Sequence, residues 1–389
     1  MNLYRTLDEL QDDYVIACYE VQSKTTLEEA AYAIAIGQSI GNPDIRNDWE
    51  TKEMIEKYCC KIVDWKRDDI IGIAYPIVNS DWQNDGISHL LCQLMGGHTD
   101  IEIVERCRLI DVAFPKKVLD QFYKPKIGLS GLRERTGSYD KPLFGSIIKP
   151  KTGITTKTLI DMVSQLIDGG VDFIKEDEIM SNPMCAPLFE RVDAVANYLE
   201  QQNSKTMFCH TINGDPHVIM NRAMMVHELG GRGVHVNVFS GLGAYHSIRK
   251  MDIPLFMHYQ SSGSKVFCDR SHRYSISWPV MCHLATLCGV DSIQVGMIGG
   301  YSNHDSRETR RCVQMLQDCD TIPILSCGMH AGLIDSITKE VGVDYLANAG
   351  GAVHGHPNGT RDGALAIRQA IDKNYGQAYQ VAINKWGVA

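Results

Sequence analysis

Up to about residue 125 the hydrophobic positions alternate between two periods. YVIACYEV (14–21) is a dense apolar run that predicts a strand. TLEEAAYAIAIGQSI (26–40) repeats at helical spacing, with Thr26 placed as N-cap ahead of Glu28 and Glu29. KIVDWKRDDIIGIAYPI (61–77) reads as two strands joined at Arg67-Asp68-Asp69, ISHLLCQLM (87–95) as a helix, and IEIVERCRLIDVAF (101–114) as one or two strands. The order β-α-β-β-α-β is that of a ferredoxin-like α+β domain. Pro115 and Lys124-Pro125-Lys126 break the pattern, which divides the chain into residues 1–125 and 126–389.

After about residue 140 the rhythm changes to short apolar runs: LFGSIIK (143–149), VDFIK (171–175), TMFCHTI (206–212), GVHVNVF (233–239), IPLFMHY (253–259), DSIQVG (291–296), IPILS (322–326) and VDYLANA (343–349). Helix-like segments such as TTKTLIDMVSQLIDGG and DPHVIMNRAMMVHELGG separate them, several closing on glycine as a helix C-terminus does. Strand and helix in alternation predict an α/β domain with a parallel sheet, and eight such units predict a closed (β/α)8 TIM barrel with a C-terminal helical tail. No glycine-rich dinucleotide fingerprint follows the first of these strands, which counts against an open Rossmann sheet. Met224-Met225 and Trp278 read as packing residues, and Asp305 as the cap of the helix that starts in HDSRETRR (304–311).

Composition narrows the class. The 389 residues are 44% hydrophobic and 22% charged, with a formal net charge of −9, so no basic footprint points to nucleic acid. The 13 cysteines are odd in number, contain no CxxC pair and sit mostly in apolar runs, the pattern of reduced buried thiols. MNLYRTLDELQDDY has no basic start followed by an apolar run, and no apolar stretch reaches membrane-spanning length. A cytoplasmic protein is expected, with no membrane and no nucleic-acid partner.

In such barrels the chemistry lies at the carboxyl ends of the strands. Those ends read Lys149-Pro150-Lys151, then Lys175 with Asp177 and Glu178, His210, Asn237, His258, Gln294 with Gly296, Ser326-Cys327-Gly328, and Gly350-Gly351. The second is the most charged: GGVDFIKEDEIMSNP (169–183) finishes an apolar run with one lysine among three acids. Lys175 and Asp177 are two apart and face the same way on an extended chain, with Glu178 at the turn. Two accounts of the lysine stand. Lys175 pairs with its acidic neighbours in an ion pair, or it takes up CO2 as a carbamate and joins Asp177 and Glu178 as a third oxygen donor for Mg2+.

The stretches GSIIKPKTGIT (145–155), GGVDFIKEDE (169–178), SCGMH (326–330) and NAGGAVHGHPNG (348–359), with KPKIGLSGLRE (124–134) leading into the barrel, resemble the large chain of ribulose-bisphosphate carboxylase and its RuBisCO-like relatives. The resemblance spans nearly the whole chain. It implies that Lys175 is the carbamylated metal-binding lysine, with Asp177 and Glu178 as its carboxylate partners. It implies that Lys149 moves protons during enolisation, that Lys151 is a second active-site lysine, and that His258 is a strand-five active-site histidine. Ser326, Gly328, Gly350 and Gly351 match the substrate-binding ends of strands seven and eight, where glycine N–H groups cradle a phosphate.

The departures bear on the reaction. True carboxylases carry a lysine in the loop after strand six, whereas GMIGGYSNHDSRE (296–308) has none, so CO2 fixation is not expected. Tyr259 and Gln294 stand where the family's second phosphate site has an arginine and a histidine, a loss of a few kcal/mol of charge-assisted binding. One phosphate on the substrate is therefore expected, with Gln294 as a neutral contact. Gly37 stands where the N-terminal domain carries a catalytic glutamate, and Gln93 where it carries an asparagine.

The resemblance thus implies a RuBisCO-like enzyme that keeps the parts for making an enolate: a divalent metal, a carbamate and a lysine base. Family reactions include enolisation of methionine-salvage diketone phosphates. They also include decarboxylation or carboxyl transfer on a phosphorylated 3-keto sugar acid of the 3-oxo-isoapionate 4-phosphate type. Gly96-Gly97-His98 stands where the methionine-salvage enolases place a lysine base, while AGGAVHGHPNG resembles their C-terminal motif. Outside that family, a Schiff-base barrel with Lys175 or Lys149 as nucleophile and a non-catalytic binding protein are the competing readings. The family's assembly implies a homodimer or multiple of dimers, in which Gln38, Asn42 and Gln93 reach a neighbour's site.

Overall fold

The computed structural model describes residues 2–10, 12–45, 48–64, 69–299 and 305–389. They form two compact units, Met1–Tyr123 with Gly263–Leu287, and Lys124–Ser262 with Cys288–Ala389. Among the described residues no helix is long and apolar enough to cross a membrane. Eight of the 13 cysteines are buried, and none is in a disulfide.

The first unit carries the β-α-β-β-α-β order in β2 (Tyr14–Ser23), β3 (Lys61–Val63), β4 (Ile70–Pro76) and β5 (Val104–Ala113), with helices Leu27–Gly37 and Gly86–Met95. Thr26 Oγ1 accepts from Glu29 N at 3.2 Å and the Glu29 carboxylate accepts from Thr26 N at 3.3 Å, a reciprocal cap that starts the first helix. The sheet order is β1-β3-β4-β2-β5-β11, where β1 is Tyr4–Arg5 and β11 is Tyr274–Ile276. These edge strands were not expected. They are two and three residues long, too short to show a hydrophobic period, and each pairs in parallel with its neighbour. Of the expected turn at Arg67-Asp68-Asp69, Arg67 and Asp68 lie outside the described residues.

The second unit is a closed parallel barrel. Its strands are β6 (Leu143–Ile147), β7 (Phe173–Lys175), β8 (Met207–Thr211), β9 (Gly233–Asn237), β10 (Phe256–Gln260), β12 (Ser292–Gly296), β13 (Ile322–Leu325) and β14 (Leu346–Ala349). All fall within the predicted runs except β10, which runs one residue further, to Gln260. The strands are buried on both faces, which is why they read as continuous apolar runs. Inside, Leu143, Phe173, Met207, Phe256, Ile322 and Leu346 pack as one cluster with Leu129 and Leu132 of the helix Gly128–Thr136. Gly145 keeps the interior open, since a Cβ there would lie 2.6 Å from Leu346 Cδ2 and 3.0 Å from Asn348 Oδ1. Further toward the carboxyl ends the buried residues turn polar: Lys175, His235, His258, Gln294 and Asn348.

The outer helices follow the expected caps. Thr155 Oγ1 accepts from Thr158 N at 3.1 Å, and Asp305 accepts from Arg307 N at 2.9 Å. Trp278 is buried, but Met224 and Met225 are only half-buried. Ile219, Ala223 and Val226 carry the inward stripe of their helix.

One carboxylate pins several barrel elements. Asp291 is fully buried; its Oδ1 accepts from Ile127 N (2.7 Å) and Gly128 N (3.0 Å), and its Oδ2 from Met257 N (2.7 Å) and Arg249 Nη2 (2.8 Å). Asp291→Ala leaves the buried Arg249 guanidinium without its counter-charge and three N–H groups without their acceptor. It is expected to lower stability by about 3–5 kcal/mol in calorimetric unfolding. A variant within about 1 kcal/mol of wild type would show that the pin is dispensable.

Candidate active site

At the carboxyl ends of the barrel strands lies a cavity of about 560 Å³. Lys149, Lys151, Asp177, Glu178, Gln294, Ser326, Gly328, Gly350 and Gly351 all line it. These are nearly all the residues singled out on the barrel. Lys175 and His258 are fully buried and do not line it. The strand-five residue facing the cavity is Gln260, two positions beyond His258 on the same side of the strand.

The charged cluster is held tightly. Lys149 Nζ pairs with Asp177 Oδ2, and Lys175 Nζ lies 3.3 Å from Glu178 Oε2. Glu178 also accepts from Gln260 Nε2 at 2.6 Å and from the Ser262 hydroxyl, and its backbone carbonyl accepts from the Asn213 amide. Burial alone would raise the Glu178 pKa. The Lys175 charge and the bonds from Ser262 and Gln260 outweigh it and hold the carboxyl at about 2. For Lys175 the balance runs the other way. Burial pushes its pKa down, and the attraction of Glu178 and Asp177 does not compensate. Burial and then the Lys175 charge also drive His235 and His258 well below the usual histidine range, so both rings are neutral. His258 Nδ1 lies 3.0 Å from Ser292 Oγ, and its Nε2 has no partner.

Between the two pairs, Glu176 turns away into a second buried cluster. Its carboxylate takes Arg191 Nε at 2.8 Å and Nη2 at 3.0 Å, His210 Nδ1 at 3.1 Å and Thr211 N at 3.0 Å. Arg191 also donates to the carbonyls of Ser181 (2.7 Å) and Ala186. It therefore ties β7 to the loop that follows Glu178. Three acids in a row thus have two jobs: Asp177 and Glu178 face the cavity, and Glu176 fixes the backbone that aims them.

Asp177, Glu178, Lys149 and Lys175 carry charges that cancel, and among the described residues no three His, Cys, Asp or Glu side chains converge as a metal site. Converting the Lys175 ammonium to a carbamate leaves the cluster with two net negative charges and three oxygen-donor groups. That set fits a hard cation such as Mg2+. The residues fit the ion with Lys175 carboxylated.

Several contributors escaped the sequence reading: Gln260, Ser262, His330, Asn348 and Trp386 all line the cavity. Period-two spacing from His258 reaches Gln260 and Ser262, and SCGMH already contained His330. Trp386 sits on the last helix, Gln377–Trp386, where no local pattern marks it. Gln38, Asn42 and Gln93 lie in the other unit. Gln38 follows the helix Leu27–Gly37, and its amide sits against Gln93 O (3.0 Å) and the N–H groups of Gly97 and His98 (3.2 Å each). Gln93 accepts from Ser80 Oγ at 3.0 Å, and exposed Asn42 accepts from Asp44 N at 2.8 Å.

The profile of the ribulose bisphosphate carboxylase large chain catalytic domain matches residues 128–385, and that of the N-terminal domain matches residues 5–118. The chain belongs to the ribulose bisphosphate carboxylase large chain family. Relatives named carboxylase and relatives named enolase both match it. It is 26% identical to a ribulose bisphosphate carboxylase of Archaeoglobus fulgidus, over 97% of this chain and 96% of that one. It is 28% identical to a 2,3-diketo-5-methylthiopentyl-1-phosphate enolase of Geobacillus kaustophilus, over 96% and 98%. The crystal structure of octameric ribulose-1,5-bisphosphate carboxylase/oxygenase from Pyrococcus horikoshii, in complex with sulfate, superposes with a TM-score of 0.88 at 27% identity. It covers 96% of this chain and 94% of that one.

The low Glu178 pKa makes stability depend on acid. A carboxyl held at about 2, against an ordinary 4.5, stabilises the fold above about pH 4.5, and that contribution is lost as pH falls toward 2. Glu178→Gln removes the titration. Between about pH 4.5 and 2, wild type is expected to lose on the order of 3 kcal/mol more stability than the variant. Parallel acid-unfolding curves would show that Glu178 is not held low.

Proposed function

We propose that this chain is a Mg2+-dependent enolising enzyme that removes a proton next to the carbonyl of a singly phosphorylated keto compound, a diketone or keto-sugar, without fixing CO2. The observation that carries the reading is the joint placement of two lysine–carboxylate pairs, Lys149 with Asp177 and buried Lys175 with Glu178, in which Lys149, Asp177 and Glu178 line one cavity with Gly350 and Gly351.

Lys175 is suited to modification. Its burial favours the neutral amine, and the neutral amine is the form that attacks CO2, giving a carbamate and releasing one proton. Lys175 as carbamate, Asp177 and Glu178 would then hold Mg2+, which supplies Lewis-acid stabilisation of charge developing on the substrate carbonyl oxygen. Lys149, released from Asp177 and acting as the neutral amine after its ammonium proton has passed to solvent, takes the proton from the adjacent carbon. Lys151 is exposed at the rim and adds positive charge for an anionic substrate. His258 is neutral and fully buried, and it lies outside the cavity lining. A Cβ on Gly351 would meet nothing within 4 Å, so its backbone is open to a phosphate, with Ser326 and Gly328 on the neighbouring strand end.

Relatives named carboxylase and relatives named enolase match at similar identity, so the reading against CO2 fixation rests on this chain's residues. The segment 296–308 has no lysine, although residues 300–304 lie outside the described residues, and Gln294 offers an amide where a second phosphate would need a cation. We keep residues 1–125 and 126–389 as the two domains. We also keep a cytoplasmic homodimer or multiple of dimers in which Gln38, Asn42 and Gln93 approach a neighbour's cavity.

With Mg2+ and 13C-bicarbonate, wild type is expected to show a lysine-carbamate 13C signal that Lys175→Ala lacks. It should also exchange the α-proton of a phosphorylated ketone for solvent deuterium. Lys149→Met should keep the carbamate signal and slow exchange by roughly 10²–10⁴-fold. No carbamate signal in wild type, or unimpaired exchange in Lys149→Met, would defeat the proposal.

A further inference from the structure

Deep in the same cavity lies an amide without a partner. Asn348, near the end of β14, is 1% exposed and lines the cavity, yet neither its Oδ1 nor its Nδ2 has a hydrogen-bond partner. Gln294 on β12 is 5% exposed and lines the same space. Its Nε2 donates to Cys327 Sγ at 3.4 Å, while its Oε1 has no partner. Buried polar atoms are normally satisfied, so these three vacant positions call for a ligand that completes them. The barrel makes room for the Asn348 amide, because Gly145 on the adjacent strand has no Cβ to press on its Oδ1.

The vacant atoms specify the chemistry of what they meet. Oδ1 of Asn348 and Oε1 of Gln294 need donors, and Nδ2 needs an acceptor. A phosphate or carboxylate only accepts, and would leave both oxygens unpaired. A thioether or alkyl tail offers no donor. A hydroxyl donates and accepts, so it can answer both ends of the Asn348 amide, and a second hydroxyl can donate to Gln294.

We propose that Asn348, assisted by Gln294 Oε1, is a specificity-determining residue that reads a hydroxyl on the substrate's carbon chain, so that the substrate is a hydroxylated keto phosphate rather than one with an apolar tail. This rests on the cavity being a keto-phosphate site. Asn348 lies two residues before Gly350, roughly 6–7 Å along the strand. The hydroxyl it reads is therefore well separated from a phosphate at the glycines.

The test is calorimetric binding of ribulose 5-phosphate and of its 1-deoxy and 3-deoxy analogues to the full chain with Mg2+ and bicarbonate. Wild type is expected to bind at least one deoxy analogue about tenfold or more weakly than the parent, because removing the hydroxyl leaves the amide unpaired. Asn348→Leu, close in shape, should bind parent and analogue within about twofold of each other. Asn348→Ala, which cannot overpack the barrel, should do the same should the leucine variant fail to fold. Equal binding of all three compounds by wild type, or discrimination that survives both variants, overturns the assignment. Failure of ribulose 5-phosphate to bind at all overturns the keto-phosphate reading of the cavity, and the assignment with it. Deuterium exchange on the same samples reports separately on enolisation.

Discussion

The structure depends on one costly arrangement, an amino group at 0% exposure inside a barrel next to two acids. A lone buried charge would be intolerable, and the interior is built to make it tolerable. Glu178 comes within 3.3 Å, is itself tied by Gln260 and Ser262, and stays ionised well below the ordinary carboxyl range. Burial still wins at Lys175 and lowers its pKa, which raises the share of neutral amine able to react as well as pair. The ion pair is the state the structure holds, and the carbamate proposed above would form on the same side chain.

Precision at that position comes from a cluster that never touches the cavity. Glu176 is held by Arg191, His210 and Thr211, and Arg191 reaches on to Ser181 and Ala186. Each of these contacts acts on the backbone on either side of Asp177 and Glu178. Alternation turns Glu176 away from Lys175 and Asp177, and Glu178 joins the cavity side from the turn that follows, so one short segment carries both the site and its brace.

Much of this was legible in the chain because the relevant signals are local. Each barrel strand is a compact apolar run, so all eight were visible, and strand ends supplied Lys149, Asp177, Glu178, Ser326 and Gly350 by position alone. The short edge strands Tyr4–Arg5 and Tyr274–Ile276 were not visible, since two or three residues show no period and their pairing is set by distant neighbours. His258 was singled out over Gln260 because histidine carries obvious chemistry, while the parity that turns Gln260 to the cavity shows only once the strand's end is known. Arg191 and Trp386 act through contacts across many residues, which spacing does not encode. Fold and family were therefore readable from pattern, but the reaction hangs on a few side chains placed on a shared scaffold.

Trp386 ties the last helix to the cavity. Its helix follows all eight barrel strands in the chain, and the segment beyond it crosses Gly332 so closely that a Cβ there would lie 2.0 Å from Gly387 O. The barrel sheet is therefore complete in the chain before the residue that closes one side of the pocket, so losing the last helix would leave all eight strands in place and open that side to water.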